Sequence, residues 1–179
     1  MDIHPWDWYY DAVAFVYTNN LMNGTSIQPR LFSPHMPVTR AMVVTVLYLA
    51  DGSPDVNGLT NPFTDVAPGR WYTNAVIWAA DRGIIKGVSN NRFAPHNEIT
   101  RQDLATILNR YANYAGIELP VTRAYTAFND DTDIRSYARE AIERFYMAGI
   151  INGRPGNIFD PTGTASRGEL AAILMSLLN

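Results

Sequence analysis

Arg40, Arg101 and Arg167 each follow a hydroxyl residue, in Thr39-Arg40-Ala41, Thr100-Arg101-Gln102 and Ser166-Arg167-Gly168. Each triplet follows a Phe-x-Pro (Phe32-Ser33-Pro34, Phe93-Ala94-Pro95, Phe159-Asp160-Pro161) and precedes an apolar run of helical period. The hydroxyl residue reads as a helix N-cap, which puts the arginine at the first helical position. That end of a helix carries partial positive charge and unpaired N–H groups, so it favours acids and mildly disfavours a cation. Three arginines in register there point to a purpose. A guanidinium beside a helix N-terminus can hold an anion, with a planar donor fork for a carboxylate and backbone N–H groups beside it. The same arginines could instead be structural, stacked on an aromatic ring or paired with a carboxylate. The residues alone leave both readings open.

The elements that must position them form a three-fold internal repeat, over about residues 1–52, 63–116 and 128–179. The second copy reads Phe63-Thr64-Asp65-Val66, Trp71-Tyr72, Ala75-Val76, Gly83-Ile84-Ile85-Lys86-Gly87, Phe93-Ala94-Pro95 and Ile99-Thr100-Arg101. The third copy matches with Phe128-Asn129-Asp130, Tyr137, Ala141-Ile142, Gly149-Ile150-Ile151-Asn152-Gly153 and Ala165-Ser166-Arg167. The first matches with Asp2-Ile3, Trp8-Tyr9, Ala12-Val13, Leu21-Met22-Asn23-Gly24 and Val38-Thr39-Arg40. The phenylalanine that should precede Asp2 falls ahead of the first residue, so the chain reads as begun inside an opening motif, with Met1 an expression start.

Each copy predicts two helices. The first run over about 7–21, 71–82 and 136–148, stopped by glycine or Asn-Gly. The second carry apolar residues at i, i+3, i+4 and i+7: Val43, Val46, Leu47, Ala50; Leu104, Ile107, Leu108, Tyr111; Leu170, Ile173, Leu174, Leu177. Ser166 with Glu169 is a capping box and Thr100 with Asp103 resembles one, whereas Met42 leaves the first copy a weaker cap. Connectors 51–62 and 113–127 read as irregular. One pair of helices cannot bury its own stripe, so residues 1–179 are expected to form a single cooperative domain.

Composition narrows the function. The 179 residues are 47% hydrophobic, enough for a core, and carry a net charge of −3. The basic residues are scattered, which argues against nucleic acid as partner. Without cysteine there are neither disulfides nor thiolate metal sites. No apolar run reaches the ~18 residues of a membrane span, and Met1-Asp2-Ile3-His4-Pro5 has no signal-peptide character. His35 and His96 match each other without an acid partner and read as loop residues. Asn129-Asp130-Asp131-Thr132-Asp133 lacks the glycine and distal glutamate of a calcium loop. No metal and no cofactor is expected. No nucleophile elbow, phosphate loop or His-Glu-x-x-His is present, and Asp65 and Asp130, at equivalent positions of different repeats, do not make a glycosidase pair. The chain is not expected to be an enzyme.

The ordered set Phe-x-Asp-Val, Trp-Tyr, Gly-Ile-Ile-x-Gly, Phe-x-Pro and Ile-Thr-Arg-x-Asp/Glu, three times over, resembles the S-layer homology repeat. Three tandem copies resemble the cell-wall-anchoring module of bacterial surface proteins. The resemblance implies a mainly α fold, a three-prong spindle around a central three-helix bundle. It implies that the grooves between prongs bind secondary cell-wall polysaccharide, often through a pyruvate ketal, on an extracellular protein of which this chain is part. The arginine and the turn glycine are the contacts it implies. On this sequence they are Arg40, Arg101 and Arg167 with the turns Asn23-Gly24, Lys86-Gly87 and Asn152-Gly153. The glycines would let a sugar approach the backbone. Trp8, Trp71 and Tyr137 could offer a flat face to a pyranose. Trp78 is expected in the core. Each arginine should face the next repeat's turn: Arg40 with Lys86-Gly87 and Trp71, Arg101 with Asn152-Gly153 and Tyr137, Arg167 with Asn23-Gly24 and Trp8. Two cations and an indole make the Arg40 groove the expected strongest. The rival reading is a helical protein–protein assembly module without a carbohydrate ligand.

Overall fold

A computed structural model describes residues 2–179 and is mainly α-helical. The reading of Met1 falls outside the described residues. The first copy contributes α1 (Tyr10–Thr18), a short antiparallel hairpin of β1 (Ser26–Ile27) and β2 (Arg30–Leu31), and α2 (Arg40–Ala50). The second contributes α3 (Thr73–Asp81) and α4 (Arg101–Ala115). The third contributes a 3-10 turn (Asp131–Asp133), α5 (Ser136–Met147) and α6 (Arg167–Leu178). Among the described residues no helix is long and apolar enough to cross a membrane.

The helix boundaries follow local chemistry. Thr39, Thr100 and Ser166 accept from the N–H of Met42, Asp103 and Glu169 at 3.3, 3.2 and 3.2 Å. Only Ser166 completes the reciprocal box, because Glu169 reaches back to its N–H at 2.7 Å. The first helices of the first two copies are shorter than expected. Trp8 precedes α1, and Trp71 precedes α3 in a turn where the Thr73 hydroxyl accepts from Arg70 N–H and donates to the Ala67 carbonyl. Left-handed Asn20, Gly83 and Gly149 end this first set. Helix α4 runs on to a left-handed Gly116, so the second connector begins later than residue 113.

Helices pack across the repeats: α2 on α3, α4 on α5, and α6 back on α1. At the centre sits a cycle of three backbone bonds. Val38 N–H donates to Ala165 C=O (2.9 Å), Ala165 N–H to Ile99 C=O (3.2 Å), and Ile99 N–H to Val38 C=O (2.9 Å). All three side chains are buried. One hydrophobic cluster runs through all copies, from Val13 and Val44 through Trp78 and Leu108 to Ile142 and Leu174. Trp78 is fully buried, tilted against Tyr48 of α2 and edge-on to Tyr111 and Tyr114 of α4. At its position in the third copy, Arg144 donates to Asn109 (2.7 Å) and Asn113 (3.0 Å) instead.

Candidate functional site

The site is built from the loop between the two helices of each repeat. The middle residue of each Phe-x-Pro is left-handed without being glycine: Ser33 (φ 57°), Ala94 (φ 57°) and Asp160 (φ 59°). Such a conformation costs about 1–2 kcal/mol for an L-residue. It is held by the aspartate of the opening motif. Asp65 accepts from the N–H of Phe93 and Ala94, both at 2.8 Å. Asp2 does the same for Phe32 and Ser33 (2.7 and 2.7 Å), and Asp130 for Phe159 and Asp160 (2.8 and 2.7 Å). Burial pushes the Asp2 and Asp65 carboxyls up, but these N–H bonds outweigh it and leave both below the usual carboxylate range. Sequence reasoning placed these aspartates in the motif without finding this role. Their fixed distance ahead of Phe-x-Pro was the available signal.

The clamped loop aims the phenylalanine carbonyl at a motif arginine. Arg40 Nε donates to Phe93 O (2.8 Å), Arg101 Nε to Phe159 O (2.7 Å) and Arg167 Nε to Phe32 O (2.8 Å). Each guanidinium also lies over that ring, at 4.9, 5.1 and 4.4 Å. Nη2 of each donates to the expected turn: Arg40 to Lys86 O (3.3 Å), Arg101 to Asn152 O (3.2 Å), Arg167 to Asn23 O (2.6 Å). The arginines are only 6–8% exposed. Aromatic stacking and structural hydrogen bonding are therefore both realised through the ring face, Nε and Nη2, while Nη1 of Arg101 donates to Glu169 at 2.6 Å. Burial lowers all three guanidinium pKa values, partly offset by acids nearby.

Three expectations need correction. The helix N-termini are not open to an anion. Their first two N–H groups donate to backbone carbonyls of the adjoining repeat, as Arg101 does to Gly163 and Gln102 to Pro161, and the third is capped by Thr or Ser. Nor do the turn glycines need a sugar to account for them. A Cβ on Gly24 or Gly87 would stand 2.7 or 2.8 Å from the chain's own Leu31 or Arg92 carbonyl. On Gly153 it would stand 2.8 Å from the Phe128 ring. Finally, the aromatic brought beside Arg40 is Tyr137, not Trp71. Tyr137 donates to Asp103 (2.6 Å), whose other oxygen is 3.8 Å from Arg40 Nη1. Arg40 is thus linked through Asp103 of the second repeat to Tyr137 of the third, which the spacing of motifs could not show.

The open donors lie at the turns. Among the described residues, the N–H groups of Asn23 and Gly24, Lys86 and Gly87, and Asn152 and Gly153 donate to no backbone carbonyl. Each pair sits next to a carbonyl already fixed by an arginine. Two successive N–H groups beside a guanidinium are donors that an anion could accept from.

The family profile described as the S-layer homology domain matches residues 1–41, 62–105 and 127–171. The chain belongs to the S-layer homology domain family. It is 32% identical over 177 residues to an amylopullulanase of Thermoanaerobacterium thermosulfurigenes, covering 96% of this chain and 9% of the relative. It is 33% identical over 177 residues to the exoglucanase XynX of Acetivibrio thermocellus, covering 96% and 16%. A cellulosome-anchoring protein of Acetivibrio thermocellus is 24% identical over 147 residues, covering 80% and 32%. The chain spans less than a fifth of the two enzymes it resembles.

Within this S-layer homology fold the surroundings of the three arginines differ. Trp8, His35, Pro37, Arg154, Ser166 and Glu169 line one cleft of about 330 Å³. Arg154, which sequence reasoning passed over, pairs with Asp160, stands 3.5 Å from Glu169 and donates to Thr164 O at 3.1 Å. Arg123, also unforeseen, stacks 3.8 Å over Tyr146 and fixes the Asn152 side chain at 2.7 Å. Trp8 and Trp71 are 66% and 60% exposed, each edge-on to the tyrosine that follows it. Those tyrosines, Tyr9 and Tyr72, carry His35 and His96 edge-on. Burial and the bond to Asp103 push the Tyr137 hydroxyl up to about 12.

Proposed function

We propose that this chain anchors a surface protein non-covalently to the bacterial cell wall by binding secondary cell-wall polysaccharide, with an ionised pyruvate ketal as the recognised group. The packed pairs α2–α3, α4–α5 and α6–α1 would be the prongs of a spindle, with α2, α4 and α6 facing its axis. The single observation that carries the reading is the recurrence, three times, of a nearly buried arginine beside two unclaimed turn N–H groups. Charge-assisted bonds to a carboxylate at such a site contribute ~1.5–3 kcal/mol each. Trp8, Trp71 and Tyr137 would give the sugar ring its apolar face. Membership of the S-layer homology family and likeness to a protein named for cellulosome anchoring support a place at the cell surface. The relatives named as enzymes are far longer than the matched region, so their names support no catalysis here.

The test is co-sedimentation with purified sacculi, intact, stripped of non-peptidoglycan polymer, or chemically depyruvylated. Binding lost on both treatments is expected. Equal binding to intact and depyruvylated polymer would remove the carboxylate from the mechanism. Binding to none of the three would favour a protein–protein assembly module.

A further inference from the structure

Two of the three motif arginines carry an internal counter-ion, and it comes from the same place in the repeat. Arg101 Nη1 donates to Glu169 Oε1 at 2.6 Å, and Arg40 Nη1 is 3.8 Å from Asp103 Oδ2. Asp103 and Glu169 are each the third helical residue of the following repeat's second helix. For Arg167 the ring of repeats closes onto the first copy, where that residue is Met42. Among the described residues no carboxylate lies within 4.0 Å of Arg167. The acid nearest in effect is Asp2, whose two oxygens are taken by Phe32 and Ser33 N–H. Arg167 is thus a cation 7% exposed, held by two carbonyls and a ring, with no anion beside it. Burying an uncompensated charge is costly, and an incoming anion removes that cost. In the other grooves the same anion must displace or approach a resident carboxylate. Lys86 adds a cation near Arg40, but its ammonium is exposed, and solvent and salt screen it more than a carboxylate in contact.

We propose that the residue at position 42 selects the anion-binding groove, so that the Arg167 groove with the Asn23-Gly24 turn is this chain's principal carboxylate site. The Arg101 groove is self-neutralised by Glu169, and the Arg40 groove partly so by Asp103. This deepens the wall-polysaccharide reading and rests on it for the ligand's identity. It also moves the strongest groove from Arg40, as the cation count of the sequence had it, to Arg167.

The test follows arginine side-chain Nε–Hε signals by NMR while titrating a methyl glycoside bearing a 4,6-linked pyruvate ketal, and acetate in parallel. The Arg167 signal is expected to move at the lowest concentration with both probes. Met42→Glu is expected to weaken glycoside binding about ten-fold relative to Met42→Gln, which shares the size and the capping ability without the charge. Glu169→Gln is expected to bring the Arg101 signal into the titration. Without any ligand, Met42→Glu is expected to melt above Met42→Gln, by a margin that shrinks with added salt. Arg40 or Arg101 moving first, or identical behaviour of the two Met42 variants, would overturn the proposal. A glycoside that binds nowhere, while acetate still moves Arg167 first, would overturn the polysaccharide reading and leave the selector standing.

Discussion

Replacing Asp65 by alanine tests the structural logic of the whole site. Its carboxylate accepts two backbone N–H bonds at 2.8 Å, from Phe93, which is fully buried, and Ala94, which is nearly so. A buried donor left without a partner costs ~1–3 kcal/mol, so two donors put the loss at ~2–6 kcal/mol if the loop keeps its shape. The loop can relax by letting Ala94 leave its left-handed conformation, which returns ~1–2 kcal/mol. It then gives up the aim of the Phe93 carbonyl at Arg40, so the loss stays above ~1.5 kcal/mol either way, a large share of a usual ~5–15 kcal/mol. Urea unfolding followed by circular dichroism measures it. The pH dependence adds a second constraint. A carboxyl lowered in the folded state contributes fully above its unfolded value of about 3.9, and that contribution is lost as pH falls through the folded value. The stability gap between wild type and Asp65→Ala is therefore expected to be flat from pH 7 to about 5 and to close only below about 4. A gap under ~0.5 kcal/mol at pH 7, or one that closes between pH 7 and 5.5, would refute the clamp.

Arg101→Met strips donors from Phe159 O, Asn152 O and Glu169 together, and is expected to cost ~3–5 kcal/mol of folding stability; a loss below 1 in urea titration would mean the arginine serves only the ligand. Gly153→Ala forces a Cβ to within 2.8 Å of the Phe128 ring and 3.1 Å of Ile158 O, and is expected to lower the melting temperature by a change of ~1–3 kcal/mol. Ultraviolet titration is expected to find Tyr137 ionising near 12, and Asp103→Asn is expected to bring it only part of the way down, since burial holds it up as well as the hydrogen-bonded carboxylate. Because one cluster runs through all three copies, tryptophan emission and far-ultraviolet dichroism are expected to report a single shared transition; two separated transitions would show independent repeats.

Much of this arrangement was legible in spacing alone. The register of Val43, Leu104 and Leu170 located the second helices although Met42-Val43-Val44-Thr45-Val46 is locally strand-like, and packing overrode that propensity. The pairing of each Thr-Arg with the next repeat's turn came from the resemblance to the S-layer homology repeat rather than from spacing, and the arginine bonds follow it. Trp78 was legible as core from its place on a helix face. Illegible were the features that depend on where loops fold in three dimensions. The N–H groups at the start of α2, α4 and α6 look free in sequence, because the carbonyls that take them lie in another repeat's Phe-x-Pro loop. Asp65 reads as a motif letter until Ala94 is seen in a left-handed conformation beneath it. Tyr137 was assigned one groove away from Arg40 because helical handedness, not residue count, decides which repeat leans over which.

The cycle Val38–Ala165–Ile99 has a consequence for how such modules can grow. Stacked repeats ordinarily form open arrays, each unit leaving a face for another. Here every donor at the centre already meets an acceptor, and the last bond returns to the first copy. A head-to-tail contact whose rotation closes makes a ring of fixed membership rather than a filament. A fourth copy joined to this chain would find neither a central carbonyl to donate to nor a first helix left to pack against. A second whole triplet could close a ring of its own, whereas removing one copy from this chain would open two unsatisfied edges at once.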